Sequence, residues 1–525
     1  MDSLPPETLY QICSCIKESR TLKVFRLVNR RVNGVAERRL WDTRALVIHL
    51  NLGSAMEKLE DLKNIGLWET SKYVQTLKIQ ALVPRRKNND KQNVYRHRRP
   101  LTSSERNKVE EAKKKLTEVF PAMISSLPHL HSLYWEIDSE DRGFLFYNNA
   151  MQRAVHDAFS HLAQLRNLVL SVPDSLGPEV PLMPLYGFTH LESLTIRGSW
   201  KLDDHTIQTN LFPMIRNNPN LTSFRLGIKY QSLQFHHLLP DYREAGPQLQ
   251  QLQLEGVKLN VTPAVIPYIR HLRSLELPWA KNTEVDIWPV LAREGIQLRE
   301  IAVHEITSQL LDYIDSICGL EVLVIKCYSD DGLASRLYDD SLPKHRSTLH
   351  RIEIIVWDEC PLAISLRNCD VFRQYEQLVS LSVSILAEDI HPGEGAERDI
   401  VASLINNLTH LRKLELIKLT GPVTPGPFKA FDPKAPIELE GARRRAVESV
   451  ERFRISKNRL PSPHEVPHFI VSTLTPNGHY LVECEEENML MFLRDDSNDG
   501  DDSFHYCDLD DKGWRWDQTD SESDG

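Results

Sequence analysis

One phrase recurs along the middle of the chain: an apolar residue, two others, an apolar residue, one other, and a third apolar residue. It stands at Val74-Leu77-Ile79, Leu130-Leu133-Trp135, Leu165-Leu168-Leu170, Leu191-Leu194-Ile196, Leu221-Phe224-Leu226 and Leu249-Leu252-Leu254. It continues at Leu272-Leu275-Leu277, Leu298-Ile301-Val303, Leu320-Leu323-Ile325, Leu349-Ile352-Ile354, Leu378-Leu381-Val383 and Leu411-Leu414-Leu416. Apolar residues two apart predict a short strand with alternate side chains pointing to one core. No such repeat can close its core alone, so neighbours must stack. Glu105 to Ile124 and Leu310 to Ile317 carry helical spacing between strands, whereas Pro173 to Pro184, with four prolines, predicts a loop.

The pattern differs at both ends. Leu4-Pro5 opens a helix in which Leu9, Ile12 and Ile16 share a face, and a second stripe follows at Leu22, Phe25, Val28, Val32 and Val35. About forty residues are too few to bury a sizeable core of their own. Beyond Leu416, Gly421 to Pro436 holds five prolines and reads as a linker. Leu439, Val447, Val450 and Phe453 predict a helix, and Pro476-Asn477-Gly478 predicts the turn of a hairpin between Phe469–Val471 and Tyr480–Val482.

The repeats start 56, 35, 26, 30, 28, 23, 26, 22, 29, 29 and 33 residues apart. Most spacings fall in or near the leucine-rich-repeat range, and the array resembles that family. That family often has Asn or Cys at the ninth repeat position, but here it holds Leu82, Asp138, Pro173, Ser199, Lys229, Val257, Ala280, Ile306, Tyr328, Trp357, Leu386 and Leu419. The turns must be held in another way. The amino-terminal segment resembles an F-box through Leu4-Pro5-Pro6-Glu7, Ile12, Leu22, Phe25, Leu27-Val28, Arg30-Arg31 and Leu40-Trp41, departing at Asn29 and Val32. The expected fold is thus α/β: a helical F-box-like unit at 1–45, then an irregular solenoid of about twelve short parallel strands at 46–425. A helix-and-hairpin cap follows at 426–496 and a disordered acidic tail at 497–525.

The resemblance implies docking on the Skp-type adaptor of a cullin-RING ubiquitin ligase through Leu4, Pro5, Glu7, Leu9, Ile12, Leu22, Phe25 and Val28. The repeats would hold an unidentified protein substrate, and the chain itself would be non-catalytic. A scaffold or regulator outside any ligase, or an enzyme with a site on the repeat face, remains the alternative.

The net charge of −10 conceals a partition. Glu483 to Gly525 holds sixteen acidic residues against Arg494, Lys512 and Arg515, a net of −13, so residues 1–482 carry about +3. Within 84–115, Arg85 to Lys115 holds twelve Lys/Arg against Asp90, Glu105, Glu110 and Glu111. With Tyr95 the only aromatic interleaved in the basic stretch, a solvated insertion is expected there and no nucleic-acid partner. No run of 18 apolar residues predicts a membrane span, and eight scattered cysteines predict reduced thiols in an intracellular protein, cytoplasmic or nuclear.

Catalytic motifs are lacking: there is no G-x-S-x-G, no G-x-x-x-x-G-K-[ST], and no G-x-G-x-x-G after a strand. His236-His237 and His129-x-His131 have no ligand partners at metal spacing, so neither metal nor cofactor is expected. Residues alternating with the inward positions are the substrate-binding candidates: Tyr134, Arg197, Arg225, Glu255, Glu276, Glu300 and His304, with Lys326, Arg351, Glu353, Lys413 and Glu415 further along. Their charges run basic in the early repeats, acidic from Glu255 to Glu300, and mixed afterwards.

Overall fold

Each apolar phrase gives an extended segment one buried face, and the computed structural model pairs these segments side by side. It describes residues 5–494 except 16–44 (where only Val24, Leu27, Val32, Val35 and Ala36 are described), 69–70, 87–100, 138–140, 142–143, 147, 163, 173–179, 184, 186, 199, 229–232, 240–245, 279–286, 328–331, 357–359, 421–434, 457–467, 473–477 and 487–488; no side chain is described beyond Arg454. The expected tail, 497–525, lies outside the described residues. The chain divides into two compact units, 1–301 and 302–525.

In the first unit a helix, α1 (Pro6–Cys15), precedes β1 (Ala45–Asn51), β2 (Thr76–Arg85), β3 (Ser132–Glu136), β4 (Asn167–Val172), β5 (Ser193–Gly198), β6 (Ser223–Ile228), β7 (Gln251–Glu255), β8 (Ser274–Leu277) and β9, which begins at Glu300. From β1 to β8 each strand pairs in parallel with the next. Leu77, Leu133, Leu168, Leu194, Phe224, Leu252 and Leu275 stand opposite one another in turn, none more than 2% exposed. Burying a side chain of this size stabilises by about 1.5–3 kcal/mol, so one in-register row strongly favours a single stacking. Two helices, α2 (Ala55–Lys63) and α3 (Ser103–Ser125), are followed by α4 (Asn149–Ser160). They lie on the apolar face, where Trp135 packs against Phe120 of α3 at 6.0 Å and edge-on against Phe159 of α4 at 5.8 Å.

In the second unit β10 (Val322–Cys327), β11 (Arg351–Val356), β12 (Ser380–Ser384) and β13 (Leu416–Thr420) pair in parallel. The helices are α5 (Ser308–Ser316), α6 (Ile400–Leu408) and α7 (Ala435–Arg452). Four more strands follow: β14 (Arg454–Ser456), β15 (His468–Ser472), β16 (Gly478–Glu486) and β17 (Met489–Arg494). β15 joins β13 in parallel and turns antiparallel into β16, Phe469 facing Tyr480, so the expected hairpin extends the repeat sheet. β17 pairs with β16 and β14, both antiparallel.

Strands occupy eleven of the twelve phrases as expected, and the differences have local causes. β1 precedes the first phrase; its Ile48 and Leu50 are 1% exposed, Ile48 standing opposite Ile79 of β2. The last phrase is displaced. Leu411-Leu414-Leu416 and Leu414-Ile417-Leu419 both fit the pattern, and pairing with β12 selects the second, setting Ile417 opposite Leu381 and Leu419 opposite Val383. Lys413 and Glu415 therefore precede the strand, and Lys418 takes the place on its outer face.

Buried polar groups and glycines replace the absent ninth-position Asn. Asn218 is wholly buried; its Oδ1 accepts from Leu191 N at 2.6 Å, and its Nδ2 donates to Phe188 O at 2.8 Å and Met214 O at 2.6 Å. Ser384, 1% exposed, accepts from Val356 N at 3.0 Å. At the ends of two strands the backbone approaches so closely that a Cβ on Gly198 or Gly256 would lie 1.7 Å from Val172 O or Ile228 O, and both glycines have φ of +99° and +70°.

Candidate functional site

The amino-terminal helix forms where Pro6 fills a first-turn position at no hydrogen-bonding cost. Of the adaptor-docking candidates, Leu4, Leu22, Phe25 and Val28 lie outside the described residues, as does the side chain of Glu7. Pro5 is exposed just before the helix and Ile12 is half-buried. Leu9 is 0% exposed, as is Cys13 one turn later. Both therefore serve to pack the helix, which leaves Pro5 and Ile12 as the described candidates a partner could reach. Val24 and Leu27, 64% and 77% exposed, add apolar surface to this segment.

On the first unit's outer sheet face, strand pairing orders the side chains into two rows. One runs Val47, Lys78, Tyr134, Val169, Thr195, Arg225, Gln253, Glu276, and the other Glu136, Ser171, Arg197, Gly227, Glu255. Tyr134, Arg197, Arg225, Glu255 and Glu276 thus share one face, as expected, and all are half-buried. Lys78 lies over the Tyr134 ring at 5.9 Å, and burial lowers its pKa. Arg197 Nη2 donates to Gln253 Oε1 at 3.0 Å. Gly227 leaves room between Arg197 and Glu255: a methyl there would stand 3.1 Å from Glu255 Oε2 and 3.6 Å from Arg197 Cγ. Basic and acidic residues distant in sequence are thus brought side by side. Glu300 opens β9, its amide donating to Arg273 O at 2.9 Å, with a half-buried side chain.

His304 and the later candidates belong to the second unit. Burial, reinforced by Lys326, lowers the His304 pKa to about 4, so near neutral pH it contributes a neutral imidazole. Glu353 accepts from two cations, Lys326 Nζ at 3.1 Å on Oε1 and Arg351 Nη2 at 3.1 Å on Oε2. Burial pushes its pKa up, but the two cations outweigh this and leave it lowered. The next strands place Ser382 opposite Glu353 and Lys418 opposite Ser382. Burial lowers the Lys418 pKa against the opposing pull of the Glu353 carboxylate, and among the described residues Lys418 forms no salt bridge.

Much of the basic stretch, 87–100, lies outside the described residues. Its flanks are tied into the fold. Thr102 and Glu105 form a capping box at the start of α3, and Arg86 binds Glu105 at 2.6 Å. Those contacts hold the Glu105 carboxyl at about 2, the Arg86 hydrogen bond contributing most. Lys115 pairs with Glu60 of α2. A polar depression of about 340 Å³ is lined by Gln248, Gln250, Arg270, His271, Arg273 and Gln297 among others, with no carboxylate, thiol or hydroxyl side chain in its lining.

Sequence reasoning missed Asp141. It is 0% exposed, and its carboxylate accepts from Leu82 N at 3.1 Å and Val83 N at 2.7 Å, with Arg85 Nη2 at 3.7 Å. It holds the part of β2 that runs past the pairing with β3, which ends at Ile79, while the pairing with β1 is irregular there. Among the described residues, no helix is long and apolar enough to cross a membrane. No protein-family model matches the chain, and neither does any curated protein sequence.

Proposed function

We propose that the protein is a non-catalytic substrate receptor of a Skp-cullin-F-box ubiquitin ligase. Its amino-terminal helices would engage the adaptor, and its parallel-strand repeats would hold a protein substrate. The observation that carries this reading is the joining of two features in one chain. A Pro-initiated helix at Pro6–Cys15 coincides with the F-box-like Leu4-Pro5-Pro6-Glu7 motif, and stacked parallel strands follow it, presenting rows of half-buried charged side chains. Such a receptor contributes proximity and orientation, while bond-making groups reside on other subunits. A scaffold acting outside a ligase would use the same repeat face without the adaptor. Affinity capture of the full chain and of a form lacking residues 1–45 separates the two. The receptor reading expects adaptor and cullin with the full chain only; their absence from both captures refutes it.

A further inference from the structure

The outer face of the second unit concentrates cations around one carboxylate. Glu353 has a side chain only 16% exposed and is shared by Lys326 and Arg351, themselves 26% and 28% exposed. Ser382, 7% exposed, separates this trio from Lys418 by one strand on each side, placing the Glu353 and Lys418 backbones about 10 Å apart at ordinary strand spacing. Val324, opposite Glu353 on the other side, is 9% exposed, and Ile355 is 6% exposed. Three cations and one anion leave two positive charges in a strip that is largely withdrawn from water. Exposed lysines on a solvated strand would be fully hydrated; here burial already weighs against the charge of Lys418. Withdrawn positive charge that Glu353 offsets only in part is unfavourable, and an arriving anion relieves it further.

We propose that Lys326, Arg351, Ser382 and Lys418 form a binding site for an acidic polypeptide segment, carboxylate-rich and extended, supplied by the substrate. The ammonium of Lys418 and the hydroxyl of Ser382 meet one side-chain carboxylate. The outer sides of Lys326 and Arg351 meet the next, while Glu353 holds those two side chains in place. An extended segment suits the strip because side chains four residues apart on one of its faces stand about 14 Å apart, comparable to the three strand spacings between Lys326 and Lys418. The site specifies the substrate class within the receptor reading and rests on that reading only for the word substrate.

The test uses the full chain and a fluorescein-labelled dodecapeptide of alternating Glu and Ser, read by anisotropy. Saturable binding is expected, weakened at least tenfold by Lys326→Gln with Lys418→Gln and by raising salt to about 0.5 M, where exposed charges are screened within a few ångströms. Arg398→Gln with Arg412→Gln makes the same change in net charge at exposed positions and should leave binding within twofold. Should the first pair fail to fold, Lys418→Gln alone, which breaks no ion pair among the described residues, should still weaken binding at least threefold. No saturable binding, or equal losses in the two pairs, overturns the proposal. A chain ending at Arg494 that binds the peptide more than tenfold better would assign the strip to the protein's own acidic end and also overturn it. Adaptor capture is measured in parallel. Peptide binding without adaptor capture removes the receptor reading and leaves the site, whereas adaptor capture without peptide binding does the reverse.

Discussion

Asn218→Ala tests how the turns between repeats are held. The side chain is completely buried and makes three hydrogen bonds, at 2.6, 2.8 and 2.6 Å, to backbone groups of Leu191, Phe188 and Met214. Alanine leaves one N–H and two C=O groups without these partners. An orphaned buried polar group costs about 1–3 kcal/mol, and partial relaxation brings the expected total to roughly 3–5 kcal/mol. Because the chain divides into two compact units, a local readout is used. Hydrogen exchange at the Leu191 amide should accelerate by at least about 100-fold, since about 1.4 kcal/mol corresponds to a factor of ten and about 3 kcal/mol to two such factors. Asn218→Leu keeps the volume but not the polar atoms and should not rescue. Exchange at Leu191 within threefold of the parent would refute the reasoning, because the turn would then be held by packing alone.

Three further outcomes follow from the same structure. Gly256→Ala, at φ +70° with its new methyl 1.7 Å from Ile228 O, should destabilise by more than 2 kcal/mol, whereas Gly295→Ala, at φ +67° with nothing within 4 Å, should cost only the left-handed backbone penalty of about 1–2 kcal/mol; equal losses in chemical unfolding would contradict the close approach. Asp141→Ala should cost about 3–5 kcal/mol, because it removes the acceptor for two β2 amides and leaves Arg85 without its carboxylate; a melting temperature unchanged within 1 °C would rule out the clamp. His304 has a folded pKa of about 4 against 6.5 when exposed. Its neutral form is therefore the one the fold favours, and its contribution is full above pH 6.5 and is lost as pH falls from 6.5 towards 4. Discounted for residual solvent, that loss is about 2 kcal/mol, and His304→Asn should flatten the stability profile in that window; parallel profiles for variant and parent would exclude it.

The strand positions were legible because alternation is a local signal: two large apolar residues on one face of an extended segment suffice to place Leu133 and Trp135 or Leu381 and Val383 in the core. Registers were less so. Leu411 to Leu419 contains two overlapping copies of the phrase, and only the partner strand decides between them. The polar groups that secure the turns were hidden for a different reason. Asn218 lies three residues ahead of its phrase, and Asp141 reaches β2 across 59 residues, a distance no local pattern encodes. Alternation made it legible that Tyr134, Arg197, Arg225, Glu255 and Glu276 share one face. That Arg197 and Glu255 flank Gly227 was not legible, because only strand pairing relates residues so distant in sequence.

Direct association with a purified Skp-type adaptor tests the central claim most closely. The full chain and a Pro5→Ala, Ile12→Ala variant are titrated by calorimetry against the adaptor. Apolar anchors of an interface commonly cost about 2 kcal/mol or more each when truncated. The receptor account predicts one-to-one binding by the full chain and at least a thirtyfold loss in the variant, with the repeat units equally folded by circular dichroism. No binding by the full chain at tens of micromolar, or equal affinity in both proteins, would contradict it.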